Sequence, residues 1–227
     1  MKSYDILTEM GEQFERKIDT DYSCAVLFNI KDSGDVITVK IEDGKVNIKD
    51  GTAEEVDIKI DTTTKTLEDI YEGNITAFTA AGKGKPSDPA PLDWTIGGGF
   101  TPAKMKNIYY MLMHFFHPEE PEVIKLGEEY SRVVHGGHAI PLYYHPGFRS
   151  AWYMIKKGES LNEPGDRDPF HQGIVVIEGE GFAKIGDKTV EIKKNESYHI
   201  PPNSDQVLWT ESDEPLVVIW LAWGEEA

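Results

Sequence analysis

The stretch GESLNEPGDRDPFHQGIVVIEG, residues 158–179, together with NESYHIPPNSDQ, residues 195–206, decides the fold. In the first, Gly158 is followed after five residues by Pro164, after one by Asp166, after five by Gln172 and after six by Gly179. In the second, Asn195, Pro201, Asn203 and Gln206 stand at intervals of five, one and two residues. Around both blocks the chain reads as short strands broken by turns. Apolar or alternating runs recur at 139–144, 151–155, 174–177, 181–185, 190–192 and 216–223, with Gly186 and Asp187 as a turn. Short strands at such regular spacing predict an all-β sandwich or barrel.

The two blocks resemble the paired signature of the cupin family, G-x5-H-x-H-x(3,4)-E-x6-G and G-x5-P-x-G-x2-H, over about residues 148–223. VIEGEG at 176–181 and HIPP at 199–202 carry the resemblance most closely. It implies a double-stranded β-helix, or jelly-roll barrel, and a homodimer. In that family two His, a Glu and a third His hold a metal. Here those places carry Pro164, Asp166, Gln172 and Gln206, too few donors for a transition metal, so no metal and no cofactor is expected. A pocket lined by Trp152, Tyr153, Asp166, Gln172, His199, Gln206 and Trp209, aromatic with a few amides, would instead take a small organic molecule. Strand alternation places His171 opposite Gln172. His135, His138, His145, His171 and His199 are each expected to be satisfied or solvated imidazoles. The alternative is a metal-dependent or metal-free cupin enzyme acting on a small organic substrate. It requires His171, His199 or His145 to converge with Asp166 or Asp168. No nucleophile elbow, phosphate loop or dinucleotide fingerprint is present, so no catalytic residue is assigned.

The first half has a different period. Ile6, Leu7, Met10, Phe14 and Ile18 predict a helix over 3–18. Runs at 25–30, 36–41, 46–48 and 56–60, with turns at Asp43-Gly44 and Asp50-Gly51, predict an antiparallel meander. Helices follow near 64–73, 74–81 and 101–116, the last capped by Thr101 with Pro102 in its first turn and ended by Pro118–Pro121. EVDIKID at 55–61, LEDIYEG at 67–73 and AFTAAGKGK at 77–85 resemble the sterol carrier protein family, over about residues 5–116. The resemblance implies an α+β domain enclosing a lipid cavity, here beside Phe78, Met105, Ile108, Tyr109 and Leu112. The segment 86–91 and the Gly97–Gly99 run depart from that family's pattern. The expected organisation is an α+β sterol-carrier-like domain at 1–116, an acidic linker at 117–130 and an all-β cupin at 131–227.

Charge narrows the partners. Lys and Arg number 23 against 40 Asp and Glu, a formal net charge of -17, and no basic run interrupts it. Nucleic acid is therefore not expected as a partner, and anionic membrane surfaces are disfavoured. No stretch is apolar for the roughly 20 residues a membrane span needs. A charged N-terminal segment without an apolar run, and one cysteine, Cys24, predict a reducing, cytoplasmic setting. Together these readings predict binding of a lipid or other apolar small molecule, the cupin being a binding, sensing or dimerising module.

Overall fold

In the computed structural model, which describes residues 1–18, 21–85, 87–99, 101–117 and 121–227, Ser3–Phe14 forms α1. Ile6, Leu7, Met10 and Phe14 are its fully buried stripe. The helix stops short of Ile18 and gives way to a turn. There the Glu15 carboxylate accepts the backbone N–H of Val46 at 2.8 Å, tying the chain to a strand. Gly11 lets α1 lie directly on that strand, because a Cβ there would sit 2.9 Å from Val46 Cγ1.

The chain divides into two units, Met1–Lys125 and Leu126–Ala227. The first holds a five-stranded sheet of β1 (Cys24–Ile30), β2 (Val36–Glu42), β3 (Lys45–Asp50), β4 (Ile58–Thr62) and β5 (Asp93–Ile96), in the order β3-β2-β1-β4-β5. This corrects the antiparallel meander, since β4 pairs with β1 in parallel. Alternation along a strand reports its faces and says nothing of its neighbours. A five-residue strand of apolar period 2 fits beside β1 as well as beside β3. Helix α2 (Thr64–Tyr71) is capped by Thr63, α3 (Ala77–Ala81) by Thr76 and α4 (Pro102–Tyr110) by Thr101; each side chain accepts a backbone N–H of the first turn.

The expected helix over 101–116 is not α-helical throughout. After Tyr110 the segment Met111–Phe115 is a π-helical turn. The wider turn shifts the side-chain register, so Ile108, Met111, Leu112, Phe115 and Phe116 are all buried. Phe14 meets Tyr22, Tyr110 and Phe115 edge-on at 5.9, 5.9 and 5.6 Å, and Phe116 meets Phe28 at 6.2 Å. The residues 118–120, expected to end this helix and open the linker, and Pro86 lie outside the described residues.

The second unit is all β. A six-stranded sheet runs in the order β13-β10-β15-β8-β7-β6, and a four-stranded one in the order β12-β11-β14-β9. Their ranges are β6 Arg132–Val134, β7 Gly137–His145, β8 Phe148–Ile155, β9 Ser160–Leu161, β10 His171–Glu178, β11 Glu180–Ile185, β12 Lys188–Lys193, β13 Ser197–Ile200, β14 Gln206–Trp209 and β15 Leu216–Trp223. All pairings are antiparallel. Ile155, Leu161, Ile174, Val176, Ala183, Ile192, Ile200, Leu208, Leu216 and Val218 form the core between the sheets. Gly179 turns β10 into β11 with φ +71°, and a Cβ there would meet Pro215 O at 2.3 Å, so the corner requires glycine.

Glu122 supplies a test of the first unit. Burial opposes its ionisation, but hydrogen bonds from His114 Nδ1 at 2.8 Å and Lys17 Nζ at 2.5 Å outweigh burial and hold the carboxyl at about 2, below the ordinary 4.5. A depressed native pKa stabilises fully above the unfolded value and loses that contribution as pH falls through the native one. The denaturation midpoints of the natural protein and Glu122→Gln are therefore expected to differ above pH 4.5 and to converge towards pH 2. A constant difference across that range would show that the pair does not act through ionisation.

Candidate functional site

Which side chains enter the barrel follows from the core. On β10, Ile174 and Val176 lie in the core, so alternation turns Gln172 inward and His171 outward. On β15 the inward row is Leu216, Val218, Trp220 and Ala222. On β8, Tyr153 and Ile155 face in, with Tyr153 paired opposite Val218. On β14, Gln206 stands two residues before the core residue Leu208. One end of the barrel is thus filled by aliphatic side chains. Above it a second layer holds the inward residues Gln172, Gln206 and Trp220, while Tyr153 stands in the row of Val218 and Val176. Tyr153 and Trp220 face inward and are half-buried.

Two glutamines set its chemistry. Gln172 is fully buried, and its Oε1 accepts the Trp220 indole N–H at 2.7 Å. An indole nitrogen can only donate, which fixes the amide orientation and leaves Nε2 as the remaining donor group. Nε2 is buried and has no hydrogen-bond partner among the described residues. Gln206, 4% exposed, donates from Nε2 to Asp168 Oδ2 at 2.6 Å. Asp168 is held from behind, its carbonyl accepting the N–H of Asn203 at 2.7 Å. Its neighbour Arg167 donates to Asp205 at 2.6 Å, and Lys184 reaches the other oxygen of Asp205 at 2.9 Å. These bonds strap 163–170 against the start of β14 and aim Asp168 at Gln206. Burial, and after it the Asp168 charge, push the Tyr153 phenol up to about 12. At neutral pH it is a protonated donor.

The structure separates the other expected pocket residues from this layer. Trp152 precedes Tyr153 and points to the opposite face, where it pairs with Ile140 and Ile219. Trp209 follows Leu208 and stacks on Phe182 at 5.5 Å, also on the outer side. His199 precedes the core residue Ile200, so it too faces out. Its Nε2 lies 3.0 Å from His171 Nδ1, and both rings stack beside Trp223. Asp166 and Pro164 are exposed, and Asp166 closes a turn by accepting the N–H of Glu163 at 2.9 Å. Adjacent strand residues cannot share a face, so a list joining Trp152 to Tyr153 is split by geometry. Trp220 and Asp168 take the vacated places. Period-2 spacing from Val218 carried the signal for Trp220, hidden because both faces of 216–223 are apolar.

A transition metal does not fit this donor set. The inward positions offer two amides already engaged by Trp220 and Asp168 and one carboxylate, without imidazole or thiolate. No group of three or more metal-binding side chains occurs among the described residues. His135 lies in the turn before β7, His138 bonds Ser131 Oγ at 3.2 Å, and His145 bonds Pro146 O at 3.0 Å.

In the first unit, Phe78, Ile108 and Leu112 are buried, while Met105 and Tyr109 are half-buried. Phe78 and Tyr109 pack ring to ring at 5.7 Å. A cleft of about 810 Å³ in this unit lies elsewhere, its wall mixing Lys40, Glu54, Asp57 and Lys59 with Ile41 and Val56. No helix of the described residues is long and apolar enough to cross a membrane.

With two antiparallel sheets enclosing a core and a polar layer above it, residues 151–222 match the family described as the cupin domain. The second unit has a cupin fold. Among solved structures, a protein from Photorhabdus luminescens aligns at 16% identity over 46% of this chain and 88% of its own, with a TM-score of 0.41. A cupin 2 conserved barrel domain protein from Salinispora arenicola aligns at 17% identity over 47% and 91%, with a TM-score of 0.41. The cupin domain of an XRE family transcriptional regulator from Enterobacter cloacae aligns at 15% identity over 39% and 97%, with a TM-score of 0.36. No curated protein is matched. The family match starts at residue 151 and does not extend to the first unit, which combines helices with a sheet.

An orphaned amide in a cupin interior carries a measurable cost. Leaving such a group unsatisfied costs about 1–3 kcal/mol, whereas an apolar residue of similar shape avoids the penalty. Gln172→Leu combined with Trp220→Phe, which removes the indole N–H that the amide oxygen satisfies, is expected to leave the denaturation midpoint unchanged or to raise it. A clear fall in stability of the double variant would show that Nε2 of Gln172 is satisfied in the ligand-free protein.

Proposed function

We propose that the cupin domain binds a small organic molecule in the layer above its core, using neutral side chains in place of a metal. A cupin domain is a small-molecule binding or enzyme-like module, and the interior chemistry favours the first of these. The observation that carries the reading is the fixed, buried and unpartnered donor of Gln172, beside half-buried Trp220. Buried polar groups in folded proteins nearly always find partners, so a donor without one inside the barrel supports a ligand that completes it. The outward histidines face away from it, which favours a binding role over catalysis.

The lipid expected for the first unit has weaker support. The residues assigned to a cavity beside 102–116 are occupied with one another and with the sheet, as the rings of Phe78, Tyr109, Phe115 and Phe116 show. A lipid is therefore left out of the proposal.

Thermal-shift screening of the full chain with a small-molecule library, after dialysis against EDTA, tests the reading. Chelation is expected to leave the melting temperature unchanged, and hits on the natural protein are expected to fail on Trp220→Ala. A stoichiometric transition metal lost in Gln206→Ala would overturn the proposal in favour of a metallo-cupin. Stabilisation by fatty acid or sterol probes that survives Trp220→Ala would move the binding site to the first unit.

A further inference from the structure

A second set of donors lies on the outer face of the six-stranded sheet, away from the barrel interior. We infer that His171 and His199 together bind a divalent transition-metal ion, copper(II) most tightly, on the exposed face of β10 and β13. The site is independent of the interior pocket.

The strand register brings the two rings together. His199 of β13 pairs with Gly173 of β10, and His171 stands two residues before that glycine, so the two imidazoles are diagonal neighbours on one face. On its other flank His171 pairs with Trp223 of β15. Gly173 carries no side chain between them, and a Cβ there would come within 3.3 Å of Trp223 Cζ3. The indole therefore lies over the strand and reaches both imidazoles. Its ring stands 6.0 Å from His171 at 11° and 5.8 Å from His199 at 34°. All three side chains are exposed to solvent. Contact with the indole holds the two imidazoles side by side, which lowers the entropy lost in bringing both to one ion.

The nitrogens stand at coordinating distance. His171 Nδ1 and His199 Nε2 are 3.0 Å apart. Imidazole nitrogens bind zinc at about 2.0–2.1 Å, which sets two of them about 3.3–3.4 Å apart on a tetrahedral ion and about 2.9 Å apart at a right angle on a tetragonal one. The observed spacing is nearer the second, the geometry of copper(II) and nickel(II), and copper(II) also heads the affinity order for such donors. In the metal-free pair one nitrogen donates its proton to the other. Binding moves that proton through solvent to the outer nitrogen of its own ring, so both rings stay neutral and both inner lone pairs face the ion. Two protein donors leave the other positions to water, and the ion is exchangeable. The indole beside the pair and the net charge of -17 both favour a cation. The parity that turns the Gln172 amide inward puts the His171 imidazole outside.

Calorimetric titration of the full chain, stripped with EDTA and then freed of it, with copper(II), nickel(II) and zinc chlorides tests the site. One copper(II) per chain is expected, bound more tightly than nickel(II) or zinc. Losing even a group that only orients a metal ligand weakens binding about 10–100-fold, so His171→Ala and His199→Ala are each expected to weaken it at least about tenfold. His145→Ala and Gln206→Ala are expected to leave it unchanged. Both histidines are exposed, so their variants are expected to keep the natural melting temperature. Copper(II) is also expected to quench a part of the tryptophan emission that Trp223→Phe removes without abolishing binding. Full binding by the double variant His171→Ala/His199→Ala, or no binding of any of the three ions, would overturn the site. Copper(II) lost only in Gln206→Ala would place it in the barrel interior instead. Tighter binding of zinc than of copper(II) would overturn the copper preference.

Discussion

The Trp220 indole donates a hydrogen bond to Gln172, and that bond sets the polarity of the layer above the barrel core. Below it, Ile174, Val176, Leu216 and Val218 need only shape and volume. At the next inward positions on the same two strands the requirement changes. An amide and an indole cannot be buried side by side unless the one acceptor meets the one donor. Meeting that demand consumes Oε1 and isolates Nε2. The second glutamine is spent differently. Gln206 faces Asp168, whose backbone is bonded to Asn203 and whose neighbour Arg167 is tied to Asp205. One glutamine is left with an open donor and the other is locked to a fixed charge.

How legible this was depended on which physical rule was at stake. Glycines, turn pairs and the 158–206 spacing are local, and they specify the cupin corner at Gly179 and the strands around it without reference to anything distant. Gln172 and Gln206 could be placed inside because their intervals coincide with positions that face inward. Trp152 and Tyr153 could not be told apart, since both are aromatic and only the parity of β8 against Ile155 separates them. Trp220 was concealed in LVVIWLAW, where every residue is apolar and a period of 2 has no contrast. Asp168 depends on a strap fixed by the Arg167–Asp205 pair, whose members stand 38 residues apart, so no local pattern announces it.

In the first unit the same distinction holds. The cap at Thr101 is local and readable, and so is the stripe on α1; Thr63 and Thr76 cap their helices in the same way without having been singled out. Parallel pairing of β4 with β1 is a long-range choice that alternation leaves undetermined. The consecutive apolar run from Ile108 to Met113 is too broad for one face of an α-helix. The π-helical turn resolves that run another way, by changing the number of residues per turn so that Met111, Leu112, Phe115 and Phe116 are all buried. Excess apolarity here reflects a change of helical register.

Core quality and binding capacity are therefore in opposition within the cupin domain. Replacing Gln172 by leucine and Trp220 by phenylalanine together would relieve a buried donor without disturbing the aliphatic core beneath. Sites that bind commonly keep groups that folding alone would discard, because their partners arrive with the ligand. Loss of the metal ligands does not by itself leave an empty barrel. Of the four positions that would hold a cation, Pro164 and Asp166 lie in an exposed turn, while Gln172 presents a donor of fixed direction against the Trp220 ring and Gln206 is held by Asp168. That combination can discriminate by hydrogen-bond polarity, which a metal centre reading mainly Lewis basicity does not.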